Sequence, residues 1–259
     1  MPTTLVTGAS SGIGKVFAER FAKEGHDLVI VARRQAELEA LAERLRSAHG
    51  RQVHVLAQDL TEPGAAQRVF DETTRLGLSV TGLVNNAGFG AMGRFERQDP
   101  PQIDRMLTLN ISVLAALCRV YLPGMLEGRA GFILNVASTA AFQPVPFMTA
   151  YAATKSFVLS FSEALAEEVR DRGVKVVALC PGPTRTEFVA VAGMDSDLSD
   201  KAPFMTAEAV VDAGMQALAG GEVVKIAGFF NALAARVGTL LPRPVIYQIT
   251  KTFFKPADS

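Results

Sequence analysis

Tyr151 and Lys155, in the run Tyr151-Ala152-Ala153-Thr154-Lys155, are the pair in this chain best suited to moving a proton. Four residues apart, they fall on one face of a helix. A free phenol titrates near pH ~10 and exchanges protons poorly at neutrality, whereas a cation held against it favours the phenolate. Ser138 precedes Tyr151 by 13 residues, just past the apolar run Phe132-Ile133-Leu134-Asn135-Val136, so its hydroxyl can reach the same crevice. A phenol tuned in this way is suited to general acid–base chemistry. By itself, Tyr-x-x-x-Lys is also an ordinary helix-surface pair.

A second constellation suits an anion. Thr7-Gly8-Ala9-Ser10-Ser11-Gly12-Ile13-Gly14 sits between the first apolar run, Thr4-Leu5-Val6-Thr7, and a segment with bulky residues at every fourth position, Ile13, Phe17 and Phe21. Glycines here let the backbone turn sharply and let a pyrophosphate approach, and the helix that follows offers unpaired N–H groups and a partial positive charge. In an open α/β sheet, the carboxyl end of the first strand is where a dinucleotide belongs. The spacing is G-x-x-x-G-x-G rather than G-x-G-x-x-G, and Lys15 followed by Val16 excludes a P-loop. Taken alone, such a cluster is also a plain turn.

The end of the second strand selects the nucleotide. A carboxylate there accepts from a ribose 2′-OH, whereas a 2′-phosphate needs a cation. Val31-Ala32-Arg33-Arg34 holds no acid, and a guanidinium can grip phosphate with two hydrogen bonds. The residues therefore point to NADP(H), whose oxidised ring would add a second positive charge near Tyr151. Asp59, just past the third strand, can accept from an adenine amine or serve simply as a helix cap.

The elements that must position these residues are short apolar runs alternating with helical patterns. Leu28–Val31, Val53–Leu56, Gly82–Val84, Phe132–Leu134 and Val174–Leu179 read as buried strands, and Leu38, Leu41 and Leu45 mark an intervening helix. Solidly apolar strands separated by helices predict an α/β fold, a Rossmann-type doubly wound parallel sheet of about seven strands with helices on both faces. One domain spans residues 1–259. The regularity fails between Pro181 and Met205, where three Pro, two Gly and the run Asp195–Asp200 predict a lid over about 183–205.

Composition narrows the functional class. Half the residues are hydrophobic, enough for a sizeable core, and 26 basic residues balance 26 acidic ones, so no global field favours nucleic acid. Three His and two Cys with no Cys/His cluster give no metal site, and Cys118 and Cys180, both in apolar stretches, read as buried free thiols of a reducing compartment. The start lacks a basic residue before its apolar run, unlike a secretory signal, and Ile226–Leu241 is interrupted by Asn231 and Arg236, unlike a spanning helix. A soluble, cytoplasmic protein is the expectation.

Together these pieces resemble the classical short-chain dehydrogenase/reductase family over nearly the full length, in its NADP(H)-preferring form. The matching elements occur in the family's order: Thr7–Gly14, Asp59, Asn85-Asn86-Ala87-Gly88, Asn110, Ser138, Tyr151 with Lys155, and Pro181-Gly182 with Thr184 and Thr186. The resemblance implies a nicotinamide-dependent oxidoreductase. It makes Tyr151 the proton donor or acceptor, Lys155 the group that tunes it and holds the nicotinamide ribose, Ser138 the orienter of the substrate oxygen, and Asn110 the support of a water relay to Lys155. It assigns the cofactor to Gly8, Ser10, Ser11, Gly12, Ile13, Gly14, Arg33, Arg34, Asp59, Leu60, Asn86, Ala87, Gly88, Tyr151, Lys155, Pro181, Gly182, Thr184 and Thr186. With Ser11 in place of a basic residue, NADP(H) preference rests mainly on Arg33, aided by Arg34 and Ser10. The Asn-Asn-Ala-Gly stretch either braces strand ends or touches the adenosine.

The residues between Ser138 and Tyr151 (Phe142, Gln143, Pro144, Val145, Pro146 and Phe147), with Phe89 and Phe188, form an apolar palette for a lipophilic carbonyl or alcohol, or for packing a lid. In the tail, about 225–259, Phe229, Phe230, Leu233, Val237, Leu240 and Leu241 share an arc of about 120°, and five basic residues face the single acid Asp258. That stripe packs on the domain, on a neighbouring subunit of a homo-oligomer (a dimer or tetramer), or on a membrane surface. The activities left open are a carbonyl reductase or alcohol dehydrogenase, a 3-oxoacyl-thioester reductase, and a non-catalytic NADP(H)-binding sensor.

Overall fold

Apolar side chains on both faces of the central strands settle the architecture. The computed structural model describes residues 1–188, 192 and 204–254. Its strands are β1 (Thr3–Thr7), β2 (Asp27–Ala32), β3 (Val53–Ala57), β4 (Val80–Asn85), β5 (Gly131–Val136), β6 (Val174–Cys180) and β7 (Val224–Ile226). They form one parallel sheet in the order β3-β2-β1-β4-β5-β6-β7. Alternate residues point to opposite faces. Val6, Ile30, Leu134 and Leu179 join the core under α1 (Gly12–Lys23), α2 (Gln35–His49) and a later helix. Leu5, Val29, Leu83 and Ile133 join the core under α3 (Ala65–Arg75) and the helices beyond β4. The Rossmann-type doubly wound sheet expected from the sequence is the sheet observed. Its seventh strand, only three half-buried residues long, carries too little apolar signal to be read in advance.

The order turns back between β1 and β4, so their carboxyl ends diverge into a crevice. Along one side of it runs a continuous helix from Pro100 to Glu127, made of α4 (Pro100–Leu107), a π-helical segment (Thr108–Val113) and α5 (Leu114–Glu127). It exceeds the tail in length as an apolar segment and is long enough to cross a membrane. Leu114, Leu117, Cys118, Tyr121 and Met125 nevertheless pack on the sheet, as in a core helix. The π-helical turn, a device common at functional positions, brings Asn110 into the interior. Beyond β5, a 3₁₀ turn (Thr139–Phe142) leads to α6 (Thr149–Glu168), which carries Tyr151 and Lys155.

After β6 the chain crosses the crevice. Met205 N–H donates to the Pro183 carbonyl at 2.9 Å and Arg185 N–H to the Met205 carbonyl at 2.9 Å, fixing both ends of the expected lid. Most of its middle lies outside the described residues. There follow α7 (Ala207–Gly220), β7, α8 (Phe229–Leu240) and α9 (Arg243–Phe253). Here the reading of the tail is corrected in one respect: its apolar stripe does not pack on its own domain. Helix α8 lies down on Ala235 and Gly238, small residues that allow a close approach, and turns Phe229, Phe230, Leu233, Val237 and Leu240 outward. A Cβ on Gly238 would stand 2.8 Å from Gln143 Oε1.

Glycine is required where the first helix meets the sheet. A Cβ on Gly14 would lie 2.4 Å from both the Gly8 carbonyl oxygen and Asn86 Nδ2. Gly124, exposed in α5, has no atom within 4 Å of the same position. Urea denaturation should therefore find Gly14→Ala destabilised by about 2 kcal/mol or more through overpacking, and Gly124→Ala stabilised by about 0.5–1 kcal/mol through helix propensity. Equal effects of the two changes would contradict the close packing at Gly14.

Candidate active site

The crevice is organised by hydrogen bonds between the ends of β1 and β4. Asn86 N–H and Ala87 N–H donate to Thr7 Oγ1 at 3.0 and 2.9 Å, and that hydroxyl donates to the Val84 carbonyl at 3.3 Å. Asn86 Nδ2 donates back to the Thr7 carbonyl at 2.9 Å. Gly8, at φ +67°, makes the turn that follows, and its own N–H donates to the Val31 carbonyl at 2.8 Å. The Asn-Asn-Ala-Gly stretch therefore braces strand ends, while Asn86, Ala87 and Gly88 also line the cleft.

Helix α1 begins at Gly12 with Ser11 as its N-cap, yet the Ser11 hydroxyl makes no capping bond and the first turn has no acid. Its orphan N–H groups thus remain available to an anion, the condition a pyrophosphate site requires. Gly8, Ser10, Ser11, Gly12 and Ile13 line the cleft; Gly14 stands behind them as a packing residue. Arg33 and Arg34 reach the same rim. Arg34 is engaged, with Nη2 at 3.0 Å from Glu187 Oε2 and at 3.1 Å from Ser10 Oγ. Arg33 is exposed and has no ion pair among the described residues, so its fork is the one open to a 2′-phosphate. Asp59 Oδ1 accepts from Thr61 N–H at 2.9 Å and Thr61 Oγ1 at 2.7 Å. Burial works against its charge, but the Thr61 bonds and the Arg33 and Arg105 charges outweigh it and hold the carboxyl below its ordinary range. It acts as a turn cap that also lines the cleft, with Leu60 beside it.

The cleft, about 820 Å³, continues from this rim to Ser138, Tyr151 and Lys155. Tyr151 is buried, and burial pushes its phenol up to about 12, against the opposing pull of the Ser138 side chain. Lys155 Nζ lies 5.7 Å from the centre of the Tyr151 ring and donates to the Val136 carbonyl at 2.8 Å. Burial lowers the ammonium to about 8, from an ordinary 10.5. Among the chain's own groups desolvation dominates and the phenol keeps its proton; the expected shift toward the phenolate also calls on the positive charge of an oxidised nicotinamide.

Asn110 stands behind the cleft. Its Nδ2 donates to the Phe89 carbonyl at 3.0 Å and to Thr154 Oγ1 at 3.1 Å, and its Oδ1 accepts from Phe89 N–H at 3.2 Å. A Cβ on Gly88 would lie 3.0 Å from Asn110 Oδ1 and 3.6 Å from Lys155 Nζ, so glycine keeps a space open between these polar groups. Thr154, which sequence reading passed over, is fully buried and donates to the Tyr151 carbonyl at 2.7 Å.

Pro181, Gly182, Thr184 and Thr186 line the cleft opposite Tyr151. Gly182 has no side chain because the Asn231 amide of α8 occupies that space. Of the substrate candidates, Phe89, Gln143, Val145 and Phe188 line the cleft, and the Phe188 ring lies 5.4 Å from that of Tyr151. Phe142 and Phe147 do not. Phe142 packs on the core beneath the sheet, and Phe147 adopts φ +66°, with its carbonyl bound by Gly93 N–H at 2.8 Å. In their place the tail supplies Asn231, Ala235, Ile249, Thr250, Phe253 and Phe254. Its small and apolar residues were the available signal, but periodicity alone does not say which side of a helix faces a cavity.

Comparison with known proteins accords with this geometry. The family model for short chain dehydrogenases matches residues 2–197. A short-chain dehydrogenase from Sphingobium yanoikuyae, solved in complex with NADPH, is 39% identical and covers 93% of this chain and 95% of its own, with a TM-score of 0.82. The bulky-bulky ketone specific alcohol dehydrogenase from Comamonas testosteroni is 35% identical over 93% of this chain and 94% of its own, with a TM-score of 0.78. The very-long-chain 3-oxoacyl-CoA reductase of Homo sapiens is 31% identical over 257 residues, 97% of this chain and 79% of that protein. The match to the family model, and relatives above 30% identity along nearly its whole length, show that the chain belongs to the short-chain dehydrogenase/reductase family.

Proposed function

We propose that this protein is an NADP(H)-dependent carbonyl reductase or alcohol dehydrogenase acting on bulky lipophilic carbonyl compounds and secondary alcohols. The observation that carries the reading is the buried phenol of Tyr151, set in one cleft with Ser138 and backed by Lys155, where a nucleotide cleft meets an apolar chamber. Gly8, Gly12 and the open N-terminus of α1 fit a pyrophosphate, and Arg33 fits a 2′-phosphate. The Sphingobium relative with NADPH and the Comamonas relative that prefers bulky ketones support the same cofactor and substrate class.

Bound NADPH supplies the hydride. Ser138 and Tyr151 hold the substrate oxygen, and the phenol of Tyr151 gives it a proton as negative charge develops there. Its high pKa keeps the acid loaded at neutral pH. Lys155, anchored on the Val136 carbonyl, then stabilises the phenolate left behind. Phe188 and the α8–α9 cap exclude water, so these charges interact in a poorly screened setting.

The 31% identical human relative supports a second substrate reading, a 3-oxoacyl thioester, which turnover of 3-oxoacyl-CoA would distinguish from simple ketones. A sensor without chemistry would have no need to bury an ammonium beside a phenol. The exposed Phe157 of α6, stacked on the half-buried Phe161, supports a homo-oligomer, and the buried, unpaired Cys118 and Cys180 support a reducing, cytoplasmic setting.

Three measurements test this reading. Tyr151→Phe should bind NADPH normally by fluorescence while kcat for a hydrophobic aromatic ketone falls about 10²-fold or more; retained turnover would remove Tyr151 from proton transfer. Arg33→Ala should raise Kd for NADPH about tenfold or more and leave NADH within about twofold, with a smaller effect from Arg34→Ala; equal changes for both nucleotides would exclude a 2′-phosphate role. Lys155 has a lower pKa folded than unfolded, so the unfolded chain binds more protons between about pH 8 and 10.5. Stability therefore rises with pH across that window, and the cost of the buried ammonium is fully present below it, on the order of 3 kcal/mol. At pH 7, Lys155→Met should raise Tm while abolishing turnover, and reduction by the unaltered protein should decline above about pH 8; a lowered Tm would contradict the burial cost.

A further inference from the structure

Helices α8 and α9 close the substrate end of the cleft, and their outer surface is unlike that of a water-facing cap. Phe229 is 76% exposed, Phe230 75% and Leu240 85%, with Leu233 and Val237 between them on the same side of α8. At 100° per residue these five side chains share an arc of about 100°, and Arg236 sits about 20° from its edge. On α9, Val245, Tyr247 and Ile249 are exposed as well.

The charges beside this surface are of one sign. Between Lys225 and Phe254 the sequence holds Lys225, Arg236, Arg243 and Lys251 and no acid. Lys225 is paired with Glu222 at 2.7 Å, whereas Arg236, Arg243 and Lys251 are exposed and have no ion pair among the described residues. A second copy of the chain placed on this face by two-fold symmetry would bring three cations against the same three cations. An anionic lipid surface instead accepts aromatic and aliphatic side chains below its headgroups and pairs the flanking cations with phosphate.

The same hairpin also forms a wall of the cleft. Ala234 and Ile249 are exposed outside and line the chamber that leads to Tyr151. We infer that the α8–α9 hairpin docks the enzyme on anionic membranes and that lipophilic substrates enter the cleft from the bilayer beside Ala234 and Ile249. The second half of this inference rests on the lipophilic substrate class proposed above; the docking itself does not.

Co-sedimentation of the full-length protein with vesicles of phosphatidylcholine, with or without phosphatidylglycerol, tests the docking. Binding is expected with the anionic vesicles and should weaken as salt rises. Phe230→Ser/Leu240→Ser and Arg236→Glu/Arg243→Glu alter residues outside the cleft, and each pair should lower the partition coefficient about tenfold or more. Turnover of a water-soluble ketone should stay unchanged in both, while turnover of a ketone dissolved in the vesicles falls. Unaltered protein remaining in the supernatant, or both variants binding like it, would overturn the docking. Loss of an oligomer by sedimentation velocity in either variant would overturn it too, by assigning the face to a subunit contact. Docking with equal vesicle-borne turnover in the variants would overturn the entry route, and absence of ketone turnover in every sample would count against the proposed activity alone.

Discussion

The seam between β1 and β4 is the constraint on which the rest of the molecule depends. Two neighbouring parallel strands whose following helices leave on opposite sides must part at their ends, exposing main-chain groups that a continuing ladder would have paired. Thr7 and Asn86 satisfy those groups across the gap, with one hydroxyl accepting two N–H groups and one side-chain amide returning to the opposite carbonyl. The crevice is thus held open by bonds rather than by a void. The glycine turn, the uncapped start of α1 and the Arg33 rim all take their positions from it.

At the other end of the crevice, the organising effect is desolvation. The interior that strengthens a hydrogen bond to a substrate oxygen also raises the Tyr151 phenol and lowers the Lys155 ammonium, so each group is pushed toward neutrality. A protonated phenol beside a weakened cation is a state ready to donate. The reverse reaction needs the charge distribution that an oxidised nucleotide brings. Further inside, Asn85, Asn135, Cys118 and Ser162 link β4, β5, α5 and α6 through buried polar contacts, including 2.9 Å bonds from Asn85 Nδ2 to Asn135 Oδ1 and from Asn135 Nδ2 to Ser162 Oγ. This network fixes the strand that carries Ser138 relative to the helix that carries Tyr151.

Much of the fold was legible because its signals are local. Apolar runs such as Leu28–Val31 gave strands, Gly8–Gly14 gave a turn into a helix, and Tyr151 with Lys155 gave a helical face. What was hidden depends on the third dimension. Glu187 is an unremarked acid in a polar-rich stretch until the chain folds back to meet Arg34, which also holds Ser10. Thr154 reads as filler between Tyr151 and Lys155, yet it ties that helix turn to Asn110. The apolar arc of α8 was visible, but its direction was not, because small Ala235 and Gly238 pack more closely than large Phe229 and Phe230. Phe142 and Phe147 had the right chemistry and the right segment, and backbone geometry turned them elsewhere.

The contact between Asn231 and Gly182 joins the tail to the catalytic floor. Its Nδ2 donates to the Ala227 carbonyl at 2.9 Å, and the amide rests on the bare backbone that follows β6. The acid–base pair and the roof of the chamber therefore belong to separate stretches of chain, which meet at this amide, at Gly238 against Gln143 and at Phe254. Changes in α8 and α9 can reshape the room above the reacting oxygen while Tyr151 and Lys155 keep their places on α6. Selectivity and chemistry are in this sense adjustable one at a time, with that amide as a hinge pin between them.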